Sequence, residues 1–264
     1  MKIIAINGSP HKGNTTDKIT DIEQKLEKYD DVDFEIINLK DMNIQLCKGC
    51  FLCFIKGDDF CPLKDDNEKI FKKIDEADGV IFATPVYSMH VSYLMKLFID
   101  RLSYTFHRPR YFGKYAISVA VAGNIGLKET TKYLKEVAKG WGFNYIDGIS
   151  YRAAPKNTPM NISPLKKDKT NDVIKKFYDS IKENKPQKLT ITDYLGFRIM
   201  QVVYSQIKIM SPYDYKYWSE KGWFKKDKKF FHENVQHNIF KDAFARLFTL
   251  IFKRQMENEF NKLE

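Results

Sequence analysis

Residues 2–16, KIIAINGSPHKGNTT, constrain the fold of this chain more than any other stretch. They begin with four consecutive apolar residues, Ile3 to Ile6, which is typical of a strand buried on both faces of a parallel sheet. The turn-forming residues 7–10, NGSP, end this run. Apolar residues then recur at helical spacing, at Ile19, Ile22 and Leu26. The stretch therefore predicts a strand, a polar loop and a helix, which together open an α/β fold.

The loop between this strand and this helix has the composition of a phosphate-binding site. The first N–H groups of a helix lack internal partners and lie at the positive end of its dipole, so an anion there gains several hydrogen bonds. Because Lys12 precedes Gly13, the loop is not a P-loop, and it is not GxGxxG either. A single monoester phosphate is favoured over a pyrophosphate or a nucleoside triphosphate. The residues predicted to line this site are Ser9, Lys12, Asn14, Thr15 and Thr16.

The chain up to residue 184 continues as alternating strands and helices. Short apolar runs predict further strands, and stripes of helical period predict helices between them. This alternation indicates an α/β, doubly wound parallel sheet with helices on both faces. Ligands bind such sheets beyond the carboxyl ends of the strands, where the loops after strands 1, 3 and 4 meet. The predicted strands are 34–39, 79–83, 115–121 and 145–149, and the helices are 67–76, 90–102, 129–139 and 172–183.

Three segments together resemble the NADPH-dependent FMN reductase and iron–sulfur flavoprotein group of flavodoxin-like proteins. Residues 8–15, GSPHKGNT, match the group's first loop, GSPxxxGNT. Residues 84–87, TPVY, are similar to the segment that borders the flavin ring, and residues 96–101, KLFIDR, match a helix ending in Lys-x-Phe-x-Asp-Arg. The resemblance implies a five-stranded sheet of order 2-1-3-4-5 and an FMN-binding domain over residues 1–184. In that helix we expect Asp100 and Arg101 to be structural.

The resemblance also implies where the flavin ring lies. Pro85, Val86, Tyr87 and Ser88 would border it, although Tyr87 taken alone is equally compatible with capping the core. The third loop, residues 122–126, is less glycine-rich than in the family, but its position permits contact through Gly123. No catalytic side chain is required, because the flavin carries the chemistry. The implied cofactor is FMN, with NAD(P)H as co-substrate.

All four cysteines lie within residues 47–61. The spacing of Cys47, Cys50, Cys53 and Cys61 lets four thiolates converge on one iron–sulfur cluster, and it resembles the motif of iron–sulfur flavoproteins, which implies a 4Fe–4S cluster. A zinc site is the next alternative, although two separated Cys-x2-Cys pairs are more usual for structural zinc. The remaining alternative is a set of reduced thiols. Such clustering is not a secreted disulfide framework, and a cytoplasmic protein is expected.

Residues 185–264 differ in composition from the rest and predict a basic, aromatic-rich helical extension. They hold 15 Lys and Arg against 9 Asp and Glu, a net charge of +6 out of +10 for the chain. Helices are predicted over 193–210 and 238–256, the second with a stripe of Phe240, Phe244, Leu247, Phe248 and Ile251. A basic amphipathic helix suits an anionic membrane, and lysines interleaved with aromatics suit single-stranded nucleic acid. Packing on the helix's own domain or on a second copy is favoured over both, so we expect a homo-oligomer and no nucleic acid.

Three functions follow from these patterns. The preferred hypothesis is an FMN-dependent oxidoreductase that passes electrons from NAD(P)H to a flavin, quinone, nitroaromatic or protein acceptor. The second is a non-enzymatic iron–sulfur flavoprotein that relays electrons between partner proteins. The third is a membrane- or nucleic-acid-associated module dominated by the basic tail. The four-residue apolar run at the start predicts no secretory signal, and no stretch is apolar enough to predict a membrane span.

Overall fold

A computed structural model describes residues 1–29, 31–156, 158–160, 162, 163, 165 and 168–260, with side chains in its last helix described up to residue 254. The chain divides into two compact units. The first consists of Met1–Gly49 with Pro62–Lys185, and the second of Cys50–Cys61 with Pro186–Glu264. The cysteine-bearing segment 50–61 therefore belongs with the C-terminal residues rather than with the segments that flank it in the sequence.

The first unit is built on a six-stranded sheet. Its parallel strands run in the order β2-β1-β3-β5-β6, and the two-residue strand β4 pairs antiparallel with β3. The prediction of five strands in the order 2-1-3-4-5 is therefore wrong in its strand count and numbering, because a two-residue strand is too short to give a periodic signal. The strands are β1 Lys2–Asn7, β2 Asp33–Asn38, β3 Gly79–Tyr87, β4 His90–Val91, β5 Tyr115–Ala122 and β6 Asn144–Arg152.

Helices cover both faces of this sheet, as predicted for a doubly wound fold. On β1, Ile4 and Ile6 lie in one apolar core, whereas Ile3 and Ala5 lie in the core on the opposite face. Burial on both faces explains why the strand reads as an unbroken apolar run. The helices of the described chain are α1 Asn14–Leu26, α2 Leu52–Ile55, α3 Asn67–Glu76, α4 Tyr93–Arg101, α5 Leu127–Gly140, α6 Thr170–Lys182, α7 Ile191–Gln206, α8 Pro212–Glu220 and α9 Ile239–Phe260.

The second unit has an aromatic core of its own. Helices α2, α7, α8 and α9 surround it, with a parallel pair of two-residue strands, β7 Gln187–Lys188 and β8 Val235–Gln236. Helix α7 begins with a capping box, since the Thr190 hydroxyl accepts from the Asp193 N–H and the Asp193 carboxylate accepts from the Thr190 N–H. The aromatic side chains buried in this core are Tyr194, Phe197, Tyr204, Trp218, Trp223 and Phe230.

Helix α9 contacts α7 through small and polar residues. Ala245 and Thr249 are buried, and Asp242 forms an ion pair with Arg198 of α7 at 2.7 Å. The predicted apolar stripe of α9 points elsewhere: its five members are between 45% and 86% exposed. Of the two places expected for this stripe, its own domain or a second copy, the polar side of the helix takes the first, so that part of the expectation is wrong. In the part of the chain that the structure describes, no helix has the length and apolar character needed to cross a bilayer.

Candidate functional site

Four strands of the first unit end at one edge of the sheet. Asn7 at the end of β1 is level with Ala83 of β3, and Ala122 at the end of β5 is level with Arg152 of β6. The three loops selected from the sequence follow β1, β3 and β5, and they leave the sheet at this edge. This arrangement is the crevice at the carboxyl ends of parallel strands that α/β proteins use for ligands.

Asn7 organises the first loop, a role that the sequence analysis missed. Its Oδ1 accepts a hydrogen bond from the Ser9 N–H at 3.0 Å. Its Nδ2 donates to Thr16 Oγ1 at 3.2 Å and to Asn38 Oδ1 at 3.0 Å. One buried amide therefore fixes the end of β1, the loop after it and the first turn of α1. The sequence does show a polar residue, Asn7, at the end of an apolar strand, but this pattern predicts only a turn.

Gly8 joins the first loop to its neighbours. Its N–H donates to the Ala83 carbonyl at 2.8 Å, and its own carbonyl accepts from Ser92 Oγ at 2.5 Å. A Cβ atom at this position would lie 2.8 Å from the Cβ of Met95 in α4, which is closer than such atoms approach. Only glycine therefore fits here without a shift of α4.

The start of α1 fits a phosphate group. Gly13 precedes the helix in an extended conformation, and no side-chain hydrogen bond caps the helix there. The first N–H groups of α1 therefore remain available to an anion, at the end of the helix where the dipole favours negative charge. This uncapped start, behind a loop that Asn7 and Gly8 hold in place, offers the N–H donors that the phosphate group of FMN requires.

The predicted phosphate-site residues differ in their surroundings. Ser9 and Thr15 are buried, and Ser9 Oγ donates to the His11 carbonyl at 2.9 Å. Thr16 is half-buried, and its hydroxyl accepts from Asn7, so its own proton remains for a further acceptor. Asn14 Nδ2 instead donates to the Ala154 carbonyl at 2.6 Å, which ties the start of α1 to the loop after β6. Lys12 is exposed.

The second loop is the tight turn of the β3–β4 hairpin. Pro85 is buried within β3, Val86 is half-buried, and Tyr87 is 40% exposed. Ser88 and Met89 form the two-residue turn with φ of 48° and 71°, a conformation that usually selects Asn and Gly. Burial, with a contribution from Tyr93, raises the pKa of the Tyr87 phenol, which therefore stays protonated at neutral pH.

Thr84 and Ser92 close this hairpin from within. The buried Thr84 hydroxyl accepts from the Ser92 N–H at 3.0 Å and donates to the Pro85 carbonyl at 2.9 Å. Ser92 Oγ caps α4 by accepting from the Met95 N–H at 3.2 Å. Helix α4 accordingly begins at Tyr93 rather than at His90, where we predicted its start.

The third loop lies against the second. Gly123 is half-buried, and a Cβ atom there would meet its nearest neighbour, Ile162 Cδ1, at an ordinary 3.5 Å. Gly126 is more constrained, with φ of 85° and a hypothetical Cβ only 2.7 Å from Val86 Cγ1. Sequence analysis selected Gly123 in this loop, but Gly126 is the glycine that lets the two loops approach each other.

Arg152 places a cation at the same edge, which sequence analysis also missed. It ends β6 beside Ala122, and its Nε is buried without a hydrogen-bond partner in the described part of the chain. Buried donors of this kind are normally satisfied, so this guanidinium nitrogen is a candidate donor to a ligand at this edge. A flavin and a phosphate both supply such acceptors.

Within the second unit, Cys50, Cys53 and Cys61 are not gathered as a metal site. Among the residues that the structure describes, no group of three or more His, Cys, Asp and Glu side chains could hold a metal ion. Within the second unit, Cys50 precedes the left-handed residue Phe51, Cys53 lies in α2, and Cys61 follows a short 3-10 turn. The prediction that Cys47, Cys50, Cys53 and Cys61 form a metal site is therefore not supported by this arrangement.

Within the first unit, a buried ion pair joins α4 to the residues that follow the cysteine-bearing segment 50–61. Arg101 of α4 pairs with Asp65, and the exposed fractions of the two side chains are 4% and 1%. Asp65 also accepts from the N–H groups of Gln45 and Asn67, and Arg101 donates to the Gln45 carbonyl. Burial opposes ionisation of Asp65, but these hydrogen bonds hold its pKa below the usual value. The structural role expected of Arg101 is thus seen in its contacts.

Comparison with known proteins gives a consistent result. The profile of the family described as NADPH-dependent FMN reductase matches residues 1–156. An iron-sulfur flavoprotein of Archaeoglobus fulgidus is 29% identical over 224 residues, which cover 84% of this chain and 99% of that protein. An iron-sulfur flavoprotein of Clostridioides difficile is 31% identical over 188 residues, covering 70% and 81%. The solved structure of RosB covers 90% of this chain and 92% of its own, with a TM-score of 0.55 and 12% identity, and shows the same fold.

Proposed function

The chain belongs to the NADPH-dependent FMN reductase family, and from this premise we propose that it binds FMN at the edge of the sheet and oxidises NAD(P)H. Family membership supports the general class, an FMN-dependent oxidoreductase. One observation in the structure carries the assignment of the site: the uncapped start of α1, presented by a loop that Asn7 and Gly8 hold in place.

The residues of the first loop would bind the phosphate of FMN. The free N–H groups at the start of α1 supply donors without a paired cation, and Ser9, Thr15 and Thr16 add hydroxyl groups in the loop and the first turn of the helix. Lys12, on the exposed part of the loop, adds positive charge that favours the approach of an anion. The amide of Asn14 secures the loop after β6 through Ala154, so its role is to hold the wall of the site.

The second and third loops would border the flavin ring. One border of the ring would consist of Pro85, Val86, Tyr87 and Ser88, and the Thr84–Ser92 hydrogen bond holds this border rigid. Gly123 lies in the loop that would form the second border. FMN held there would supply hydride chemistry with the nicotinamide and would pass the electrons on as a pair or singly. The protein orients the ring, shields it from water and aims donors at it. No side chain is needed as a general acid.

The electron acceptor in this proposal is a flavin, a quinone, a nitroaromatic compound or a protein. A second candidate function is that of a non-enzymatic electron carrier, favoured by relatives named iron-sulfur flavoprotein and by the presence of four clustered cysteines. The arrangement of those cysteines does not favour it. Anaerobic preparation followed by iron and sulfide assays separates the two functions, because the carrier requires both elements and the reductase neither.

The matched variants Gly13→Asp and Gly13→Asn test the phosphate site. Gly13 has φ of −151°, which any residue adopts, and an added Cβ would meet only the ring of the exposed His11, at 3.0 Å. Aspartate places a negative charge where the phosphate would bind, whereas asparagine has the same shape without the charge. We expect FMN to bind about tenfold more weakly to the Asp variant than to the Asn variant.

Riboflavin, which lacks the phosphate, is the ligand control for this experiment. Its affinity should be the same for both variants within about twofold, since only the charge differs. The measurement is quenching of flavin fluorescence on titration, together with the melting temperature of each ligand-free variant. Equal FMN affinity for the two variants would place the phosphate elsewhere. A protein that takes up no FMN and oxidises neither NADH nor NADPH would contradict the whole proposal.

A further inference from the structure

Helix α9 exposes a broad apolar surface. We define the α9 face as Ile239, Phe240, Phe244, Leu247, Phe248, Leu250 and Ile251, all of which are at least 45% exposed. At 100° per residue these positions span about half of the helix circumference, over three turns. Contiguous apolar surface of this extent is uncommon on proteins that stay free in water and marks an interaction site.

The second unit uses the opposite side of α9. Ala245 and Thr249 are buried towards α7, and Asp242 is held between Arg198 at 2.7 Å and Arg246 at 2.9 Å. Arg246 also donates to the Lys226 carbonyl at 3.0 Å. These contacts fix the rotation of α9 about its axis, so the apolar side cannot turn inward without breaking a partly buried ion network. The exposed face is therefore a fixed feature of this unit.

Cations border the α9 face. Lys241 lies along one edge and Arg246 and Lys253 along the other, and Arg254 lies at its C-terminal end. Over residues 239–254 the only acidic residue of α9 is Asp242, which pairs with two arginines; Glu257 and Glu259 follow it in the sequence beyond the α9 face. The Arg246–Lys226 contact also places the lysine-rich segment 225–229 beside this border.

The positive charge of both borders decides which partner fits the α9 face. Along the length of the α9 face, a second copy of the chain would bring one basic border against another, and Asp242, the acidic residue of α9 over that length, is already paired. Anionic lipid head groups complement both borders while the hydrocarbon region receives the phenylalanines and leucines. We propose that α9 lies in the plane of an anionic lipid surface, with the α9 face buried and the border cations on the head groups.

Vesicle sedimentation with the full chain tests this proposal. We expect the protein to sediment with vesicles of phosphatidylcholine and phosphatidylglycerol, and at least about tenfold less with phosphatidylcholine alone. The double variant Phe244→Ser/Leu247→Ser removes two apolar side chains that are 56% and 63% exposed and should weaken binding about tenfold or more. Arg254→Gln, a change at the exposed border, should weaken it about fivefold.

The matched control is Ile209→Ser/Met210→Ser. These side chains are 95% and 73% exposed in the same unit but lie outside α9, so their loss should leave binding unchanged within about twofold. Circular dichroism and sedimentation velocity of every variant report folding and oligomeric state. Absence of binding to the anionic vesicles, or equal binding by wild type and both test variants, overturns the proposal. So does a wild-type dimer that Phe244→Ser/Leu247→Ser dissociates in the absence of vesicle binding, which would assign the face to a second copy.

Discussion

At the scale of single residues, Asn7 shows how one buried side chain can shape a binding loop. Its amide holds Ser9, Thr16 and Asn38 in fixed relation, so the loop is shaped before any anion arrives. Sequence reasoning selected the hydroxyl residues of this loop because they are common phosphate donors. It missed Asn7 because an asparagine at the end of a strand is more often only a turn former. It missed Arg152 because only the structure reveals that its buried Nε has no partner among the described residues.

The buried Arg101–Asp65 pair predicts a large stability effect. Arg101→Leu leaves the Asp65 carboxylate buried without its cation, and it should lower the free energy of unfolding by about 3–5 kcal/mol. The control is Lys96→Leu on the same helix, which breaks a pair with Asp100 whose two side chains are 47% exposed. That change should cost less than about 1 kcal/mol. Urea unfolding measures both, and similar losses would show that burial does not determine the effect.

The partly buried His232 should make the free energy of unfolding depend on pH. Burial lowers the pKa of His232 to about 4, whereas an unfolded histidine has a pKa of about 6.5. The unfolded chain therefore binds this proton more readily, and the contribution of His232 is complete above pH 6.5 and is lost as the pH falls towards 4. Because the ring is only partly buried, we expect a loss of about 1 kcal/mol between pH 7 and pH 5. The variant His232→Gln should lack this component in urea unfolding at the two pH values; an unchanged pH dependence would refute the assignment.

At the scale of elements, the β3–β4 hairpin shows where sequence patterns stop predicting structure. The parallel strands and the helices α1, α3, α5 and α6 were predictable because each buries a face or a stripe long enough to repeat. Strand β4 has two residues, and its partner turn uses Ser88 and Met89 in place of the usual Asn-Gly. The apolar stripe of α9 was visible in the sequence, but its direction was not. The ion network of Arg198, Asp242 and Arg246 sets that direction.

The turn of this hairpin predicts opposite effects for two substitutions at one position. Met89 has φ of 71° and is 46% exposed, so Met89→Gly relieves backbone strain at little cost in packing. Glycine loses more entropy on folding, which offsets part of the relief, and we expect a net gain of about 1 kcal/mol. Met89→Ile, which is β-branched, should lower stability instead. Thermal unfolding of both variants measures the effect, and destabilisation by Met89→Gly would mean that the turn is not strained.

At the scale of the whole molecule, the second unit is assembled from two distant parts of the chain. Within it, the Ser211 hydroxyl donates to the Phe54 carbonyl at 3.2 Å, and a Cβ on Gly57 would lie 2.8 Å from the Tyr213 ring. Composition marked residues 185–264 as different, but no local pattern could show that residues 50–61 join them. Contacts between segments more than 150 residues apart leave no periodic trace in a sequence.

Truncation after Lys185 follows from this organisation. The shortened chain keeps the sheet and both of its cores, so it should still bind FMN within about threefold of the full chain. Residues 50–61 lose their partners in the second unit, and we expect proteases to cleave there at least about tenfold faster. Limited proteolysis with mass spectrometry of the fragments measures this. Equal protection of the segment in both chains would show that the C-terminal residues do not shield it.

The chain passes between its two units at residues 49–50, 61–62 and 185–186, and this has a consequence for biogenesis. The segment with Cys50, Cys53 and Cys61 leaves the ribosome before its neighbours in the second unit, which begin at residue 186. At ordinary elongation rates of about 5–20 residues per second, the roughly 125 residues between them take roughly 6–25 seconds. Throughout that interval the nascent thiols are open to whatever maturation machinery the cell provides, before their segment gains its partners in the second unit.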